Sequence, residues 1–154
     1  MIIENADFKD LKEILELQYL AYQSEAMLNN NFSIPPLLQT LEEVRKEHRN
    51  GPFLKAVDEN GTIIGSVRGH IQDNTLSIGK LIVHPDHQGK GIGTKLLQAM
   101  EKAHPTLRYE LFTSNKSVKN IRLYEHQGYV RFMEKQIAPD LTFIYLGKNP
   151  DKIV

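Results

Sequence analysis

The apolar residues of this chain fall into alternating helical and strand-like stretches. Residues 1–6 read as a short strand, and Asp7 stands as an N-cap. Leu11, Ile14 and Leu15 then recur at the spacing of a buried helical stripe, in a helix that carries Tyr19, Tyr22 and Glu25 toward its end. Asn29-Asn30-Asn31 and Pro35-Pro36 predict a loop, and Thr40-Leu41-Glu42-Glu43 has the spacing of a capping box that opens a second helix, ended by Asn50-Gly51-Pro52. Strand patterns follow at 53–57 and 62–71 around Asn60-Gly61, a hairpin signal. Asp73-Asn74 turns the chain into a third strand at 75–83, where Leu76, Ile78, Lys80 and Ile82 share one face and Gly79 predicts a bulge or a close backbone approach. After a glycine-rich turn, Ile92, Leu96, Ala99, Met100 and Ala103 mark a helix stopped by Pro105. A strand at 108–113 precedes a helix capped by Ser117, with Ile121, Leu123 and Tyr124 on its core side and Gly128 at its end. Residues 129–137 and 141–146 pair as a last hairpin around Pro139-Asp140. The order predicts a mixed α/β domain spanning 1–154.

The glycine-rich turn, Gln88-Gly89-Lys90-Gly91-Ile92-Gly93-Thr94, sits where the strand ending in Leu81, Ile82 and Val83 hands over to a helix. The first helical turn leaves backbone N–H groups without partners, and the helix dipole adds positive potential there. Glycines let an anion reach those groups, and a phosphate or pyrophosphate suits them. A Walker loop is excluded, because Gly93-Thr94-Lys95 has the Lys and Thr in the wrong order. A dinucleotide fingerprint is excluded as well, since the place for its last glycine holds Thr94.

Composition narrows the classes. Nineteen basic residues balance nineteen acidic ones in 154, so neither nucleic acid nor an anionic membrane is indicated as a partner. No apolar run approaches a membrane span, and the N-terminal residues do not form a signal peptide. The absence of cysteine removes disulfides, thiolate metal sites and a cysteine nucleophile, and suits a cytoplasmic location. His84 and His87 flank the turn without a third ligand at their spacing and read as turn residues, so no metal is expected.

Gln88-Gly89-Lys90-Gly91-Ile92-Gly93, introduced by Val83-His84-Pro85-Asp86, resembles the pyrophosphate-binding motif of the GNAT superfamily of N-acetyltransferases. Leu123-Tyr124-Glu125-His126-Gln127-Gly128-Tyr129 is similar to that family's second signature, at the family's distance from the first. The resemblance implies a GNAT fold: a mixed, mostly antiparallel sheet of about seven strands, splayed at the cofactor site and flanked by about four helices. It also implies acetyl transfer from acetyl-CoA, without a metal, to a primary amine. Gln88, Gly89, Lys90, Gly91, Ile92, Gly93 and Thr94 would hold the pyrophosphate, and Leu81, Ile82 and Val83 would pair with pantetheine like an added strand. Tyr124 would protonate the departing thiolate. The family commonly has an asparagine where this chain has Ser117, so Asn115 and Asn120 are the nearby candidates for the cofactor. Many relatives place a glutamate base where this chain has Ser77, which leaves His70, Glu110, Glu25 or water for that task.

Simple acid–base arithmetic orders the tasks. A lysine-type ammonium, with a pKa of about 10.4, is neutral in roughly one molecule in a few thousand at pH 7, a deficit worth about 4–5 kcal/mol. A thiol with a pKa of about 8.5 leaves more readily, so deprotonating the amine is the larger task. Tyr22 and Glu25 are the candidate acceptor-binding residues, with Tyr22 desolvating the amine and Glu25 at the rim. A small-molecule amine is the favoured acceptor. A protein N-terminus or lysine, or a non-catalytic acetyl-CoA-binding module, are the alternatives, and the chain is expected as a monomer or homodimer.

Overall fold

The structure, a computed structural model, describes residues 1–150. Its strands are β1 (Ile2–Asn5), β2 (Phe53–Val57), β3 (Ile63–Gln72), β4 (Thr75–Val83), β5 (Arg108–Ser114), β6 (Val130–Ala138) and β7 (Leu141–Lys148). They form one sheet in the order β1-β2-β3-β4-β5-β7-β6. All neighbours are antiparallel except β4 and β5. The helices are α1 (Leu11–Ala21), α2 (Gln23–Leu28), α3 (Pro35–Leu38), α4 (Leu41–Asn50), α5 (Ile92–Ala103) and α6 (Val118–His126). Among the described residues, no helix is long and apolar enough to cross a membrane.

Successive strand residues point to opposite faces, and this divides the core into two layers. Phe53, Ile63 and Ile82 pack with Leu11, Ile14, Leu15 and Leu17 of α1 and Val44 of α4. Leu54, Ile64 and Val67 turn the other way, onto Leu96, Leu97 and Met100 of α5 and Tyr124 of α6. Each fully buried leucine, such as Leu11 or Leu96, contributes about 1.5–3 kcal/mol through its burial. Helix α4 begins at the expected capping box: Thr40 Oγ1 accepts from the Glu43 N–H at 3.2 Å, and Glu43 Oε1 accepts from the Thr40 N–H at 3.0 Å.

The helices expected from the apolar pattern are present, with two differences. The first is broken at Tyr22, whose φ of −81° and ψ of −1° re-aim the chain into α2. Of α2 only Ala26 is buried, so its direction is set by polar contacts described below. The Pro-rich loop contains the one-turn α3, with Pro35 and Pro36 at positions whose N–H groups would lack helical partners anyway.

The bulge expected near Gly79 is centred one residue later. Ser66 faces Ile82 and Arg68 faces Gly79, so Lys80 and Leu81 together oppose Val67. Lys80 carries the strain of the bulge with a φ of +49°, in the left-handed region that a lysine rarely adopts. By this point β4 has already parted from β5. The two strands pair only where Thr75, Leu76 and Ser77 meet Arg108, Tyr109 and Glu110, and beyond that they part.

Gly51 secures α4 against the sheet. A Cβ at this position would lie 2.0 Å from the carbonyl oxygen of Gly69 on β3. We expect Gly51→Ala to destabilise the fold by about 1–3 kcal/mol, read as a lowered urea midpoint with an unchanged slope. An unchanged midpoint would mean that the backbone approach does not constrain the fold.

Candidate active site

The parting of β4 and β5 leaves a cleft of about 500 Å³ beside α4. Its lining comes from Lys46 and Glu47 of α4, Arg68 and His70 of β3, Ser77 and Lys80 of β4, Glu110 and Phe112 of β5, and Tyr145 of β7. The pairing register puts His70 opposite Ser77 and Ser77 opposite Glu110, so these three form a row across the closed end of the cleft. Arg108 Nε donates to Glu110 Oε2 at 2.8 Å. Phe112 and Tyr145, with ring centroids 5.3 Å apart, form an aromatic wall beside the row.

Tyr124 is buried, 8% exposed, in the core layer beneath α6. Its ring centroid lies 6.2 Å from that of Tyr129, and its hydroxyl makes no hydrogen bond among the described residues. The hydroxyl oxygen is not among the fully buried unpartnered polar atoms, so it reaches open space beside the ring. Burial raises its pKa well above the ordinary value, and the neighbouring Tyr22 and Glu25 add to the rise. The Tyr22 hydroxyl likewise has no hydrogen-bond partner among the described residues. Burial pushes it up to about 12, with Glu25 and Glu47 raising it and Arg68 opposing them.

Glu25 does not stand at the rim. Ser117 Oγ lies 2.7 Å from each of its carboxylate oxygens and donates to them, and Asn120 Nδ2 donates at 3.2 Å. Ser117 is therefore the N-cap residue of α6 by position, while its hydroxyl serves Glu25 rather than the helix. A carboxylate at a helix N-terminus is favoured by the dipole, so this contact clamps α2 to the helix that carries Tyr124. Asn29 on the same segment accepts from Ser114 Oγ at 2.9 Å. Asn115 is taken up by Thr142: its N–H donates to the Thr142 carbonyl at 2.8 Å, and its Oδ1 accepts from the Thr142 N–H at 3.2 Å. The Tyr19 hydroxyl donates to the Gln39 carbonyl.

At the mouth of the splay lies the glycine turn. Gly89 and Gly91 have φ of +77° and +79°, and a Cβ at either would meet nothing within 4 Å, so the turn is open on its outer side. Gly91 is the N-cap of α5, and the first helical bond runs from the Lys95 N–H to the Gly91 carbonyl at 3.1 Å. The N–H groups of Ile92, Gly93 and Thr94 are thus left without helical partners. The Ile92 side chain is buried in the core, and Gln88 and Lys90 are exposed. On the side of β4 away from β3, Leu81, Ile82 and Val83 pair with no strand. The backbone N–H of Asp86 donates to His84 Nδ1 at 3.0 Å. Among the described residues, no group of three or more potential metal ligands exists.

A buried polar network beside the cleft escaped the sequence reading. Arg68, 4% exposed, donates through Nη2 to Gln18 and, at 3.1 Å, to Gln39 Oε1. Gln18 Nε2 donates to the Pro36 carbonyl at 2.8 Å, and Gln39 Nε2 donates to Glu47. The available signal was the presence of polar residues at core positions: Gln18 follows Leu11, Ile14 and Leu15 on the buried stripe, and Arg68 ends the buried run of β3.

Comparison with known proteins agrees with this geometry. The chain is 30% identical over 153 residues to S-(2-succino)cysteine N-acetyltransferase of Bacillus subtilis, covering 92% of this chain and 91% of that protein. It is 29% identical over 144 residues to UPF0157 protein YqkA of the same organism, covering 93% of this chain but only 41% of that longer protein. Its fold superposes on the PaiA N-acetyltransferase of Thermoplasma acidophilum in complex with coenzyme A, with a TM-score of 0.78, 18% identity and coverage of 94% and 96% of the two chains. The ribosomal-protein-S18-alanine N-acetyltransferase of Escherichia coli gives a TM-score of 0.81 at 14% identity, covering 99% and 96%. Residues 8–129 match the family described as Acetyltransferase (GNAT) family, and with both motifs in place on a sheet splayed between β4 and β5, the chain belongs to that family.

Proposed function

We propose that this protein moves the acetyl group of acetyl-CoA to the primary amine of a small molecule by direct attack. The observation that carries the reading is the unpartnered hydroxyl of Tyr124 in a fold whose sheet parts between β4 and β5. The α5 N-terminus fits a pyrophosphate, because three N–H groups point outward from a turn with no side chain in the way. Gln88, Gly89, Lys90, Gly91, Ile92, Gly93 and Thr94 would hold it, and the unpaired edge at Leu81, Ile82 and Val83 would receive the amide-bearing pantetheine. Bound acetyl-CoA supplies an activated thioester.

The chain's own residues then have distinct tasks. The Tyr124 hydroxyl gives a hydrogen bond, and finally its proton, to the departing sulfur. The amine's proton has two acceptors along the cleft, His70 and Glu110, on the strands either side of Ser77. Tyr22 faces the same region and would desolvate the amine, which lowers the ammonium pKa. Glu25 accepts from both Ser117 and Asn120, and so positions α6. Asn115 ties the end of β5 to β7. A cleft of about 500 Å³ is of small-molecule size. The relative named S-(2-succino)cysteine N-acetyltransferase, by its name, acetylates a small amino acid, which favours the same acceptor class here.

Replacing Gly93 by Val, and separately Gly91 by Val, should weaken acetyl-CoA binding about 10- to 100-fold, the worth of one or two charge-assisted hydrogen bonds. Calorimetry on variants with native circular dichroism tests this, and an unchanged dissociation constant in both would refute the assignment. Gly93 is the cleaner site, since its φ is not left-handed and a Cβ there meets only Val83 and Leu123 at 3.7 and 3.8 Å.

Tyr124→Phe should lower kcat about a hundredfold with acetyl-CoA affinity retained. Because the Tyr124 pKa is raised, its hydroxyl stays protonated throughout the assay range, and it contributes no basic limb to the kcat profile below about pH 10. A basic limb that vanishes in Tyr124→Phe would contradict this role, as would wild-type turnover.

Tyr22 and Glu25 should separate in kinetics. Tyr22→Ala should raise KM for the amine and leave that for acetyl-CoA nearly unchanged. Glu25→Ala, by releasing Ser117 and Asn120, should raise both. Identical behaviour of the two variants would place the acceptor elsewhere.

A further inference from the structure

Two cations in the cleft share one carboxylate oxygen. Glu47 Oε2 lies 3.5 Å from Arg68 Nε and 3.4 Å from Lys80 Nζ. Arg68 Nε is buried and forms no hydrogen bond, so its approach to Glu47 is electrostatic only. The guanidinium is otherwise fixed: Nη2 is engaged by Gln18 and Gln39, and Cζ lies 4.9 Å from the centroid of the Phe53 ring. Lys80 reaches this place because its left-handed backbone at the bulge re-aims the side chain toward α4. The other acid of the cleft, Glu110, is already paired with Arg108. Among the residues lining the cleft, Lys46, Arg68 and Lys80 therefore face one carboxylate not paired elsewhere, that of Glu47, while Glu43 acts on Lys80 from outside the lining.

Partly buried cations in excess of their counter-charges are costly to hold. Burial lowers the pKa of both Arg68 and Lys80, and for Lys80 the neighbouring Arg68 lowers it further, although Glu47 opposes both shifts and Glu43 opposes that of Lys80. A cleft of this charge also repels a plain ammonium. That favours the neutral, nucleophilic amine but leaves nothing to bind it, unless the acceptor brings an anion of its own.

We infer that the acceptor is an amine that also carries a carboxylate, and that Lys80 and Arg68 bind this carboxylate beside Glu47. With Nε buried and Nη2 engaged, the Arg68 guanidinium has Nη1 left as a fixed donor beside the mobile Lys80 ammonium, a combination suited to a carboxylate entering from the open side of the cleft. The inference rests on the acetyl-transfer reading of the same cleft and names the substrate class for it.

The test uses three acids, S-carboxymethylcysteine, glutamate and β-alanine, each beside the amide in which its carboxylates are carboxamides of nearly the same shape. Calorimetry on the protein saturated with coenzyme A should show at least one acid binding about tenfold or more tighter than its amide, the effect of one charge-assisted contact. Lys80→Gln should erase that preference and Lys80→Arg should retain it, with coenzyme A affinity unchanged in both. Lys80 is the residue of choice, because Arg68 also supports the buried glutamines. If no acid binds better than its amide, or if Lys80→Gln keeps the preference, the inference is overturned. Equal acetylation of acid and amide overturns it too, while leaving the acetyltransferase reading standing. Lys80-dependent binding of an acid without any acetylated product supports the carboxylate site and overturns the acetyl-transfer reading instead.

Discussion

The structure depends on one interruption of its hydrogen-bond ladder. Three residues after β4 has stopped pairing with β5, the chain inserts an extra residue into β4 at Lys80. Pairing between them stops at Ser77 and Glu110, and a row of backbone groups at Leu81, Ile82 and Val83 is left without a strand partner. Unpaired backbone groups inside a sheet are unfavourable unless something pairs with them. The fold thus leaves an unpaired stretch of backbone in its middle rather than at an edge. The same parting brings the glycine turn and α5 to the mouth of the opening, and His70, Ser77 and Glu110 to its closed end.

The helices then determine what each side of the opening can do. On one face α5 and α6 are held by an apolar layer that includes Leu96, Leu97, Ile121 and Tyr124. On the other, α1 packs on β3 and β4 and α4 on β3, with the cleft beside α4. Polar contacts with little apolar burial direct the connecting α2: Glu25 holds Ser117 and Asn120, and Asn29 holds Ser114. These bonds join a segment near the start of the chain to the helix bearing Tyr124, more than ninety residues later in sequence. The α2 segment and the helix bearing Tyr124 are therefore linked mechanically through one carboxylate.

Much of this was legible in the sequence because the relevant forces are local. Apolar periodicity set the strands and the larger helices. Thr40 and Glu43 marked a capping box, and Asp73-Asn74 a tight turn whose residues adopt φ of 51° and 63°. The glycines at 89, 91 and 93 signalled exposed helix-end N–H groups, since only the absence of side chains at such a junction leaves them open. Tyr124 was singled out through its motif, whereas its lack of a hydroxyl partner is a property of the packed state.

What only the tertiary structure decided are the contacts between residues far apart in the chain. Glu25 looked like an exposed carboxylate near a helix end, and its clamp on Ser117 exists because α2 turns at Tyr22 to meet α6. Gly79 drew attention to the bulge, but the left-handed residue is Lys80, since register across β3 rather than intrinsic backbone freedom selects which residue is extruded. Arg68, Gln18, Gln39 and Glu47 come from three separate elements and the loop before α4, and no local pattern brings them together. Backbone preference and apolar spacing act over a few residues and can be read in order along a chain. Polar pairing and the geometry of a cleft act through space, and are defined only once the strands have taken their register.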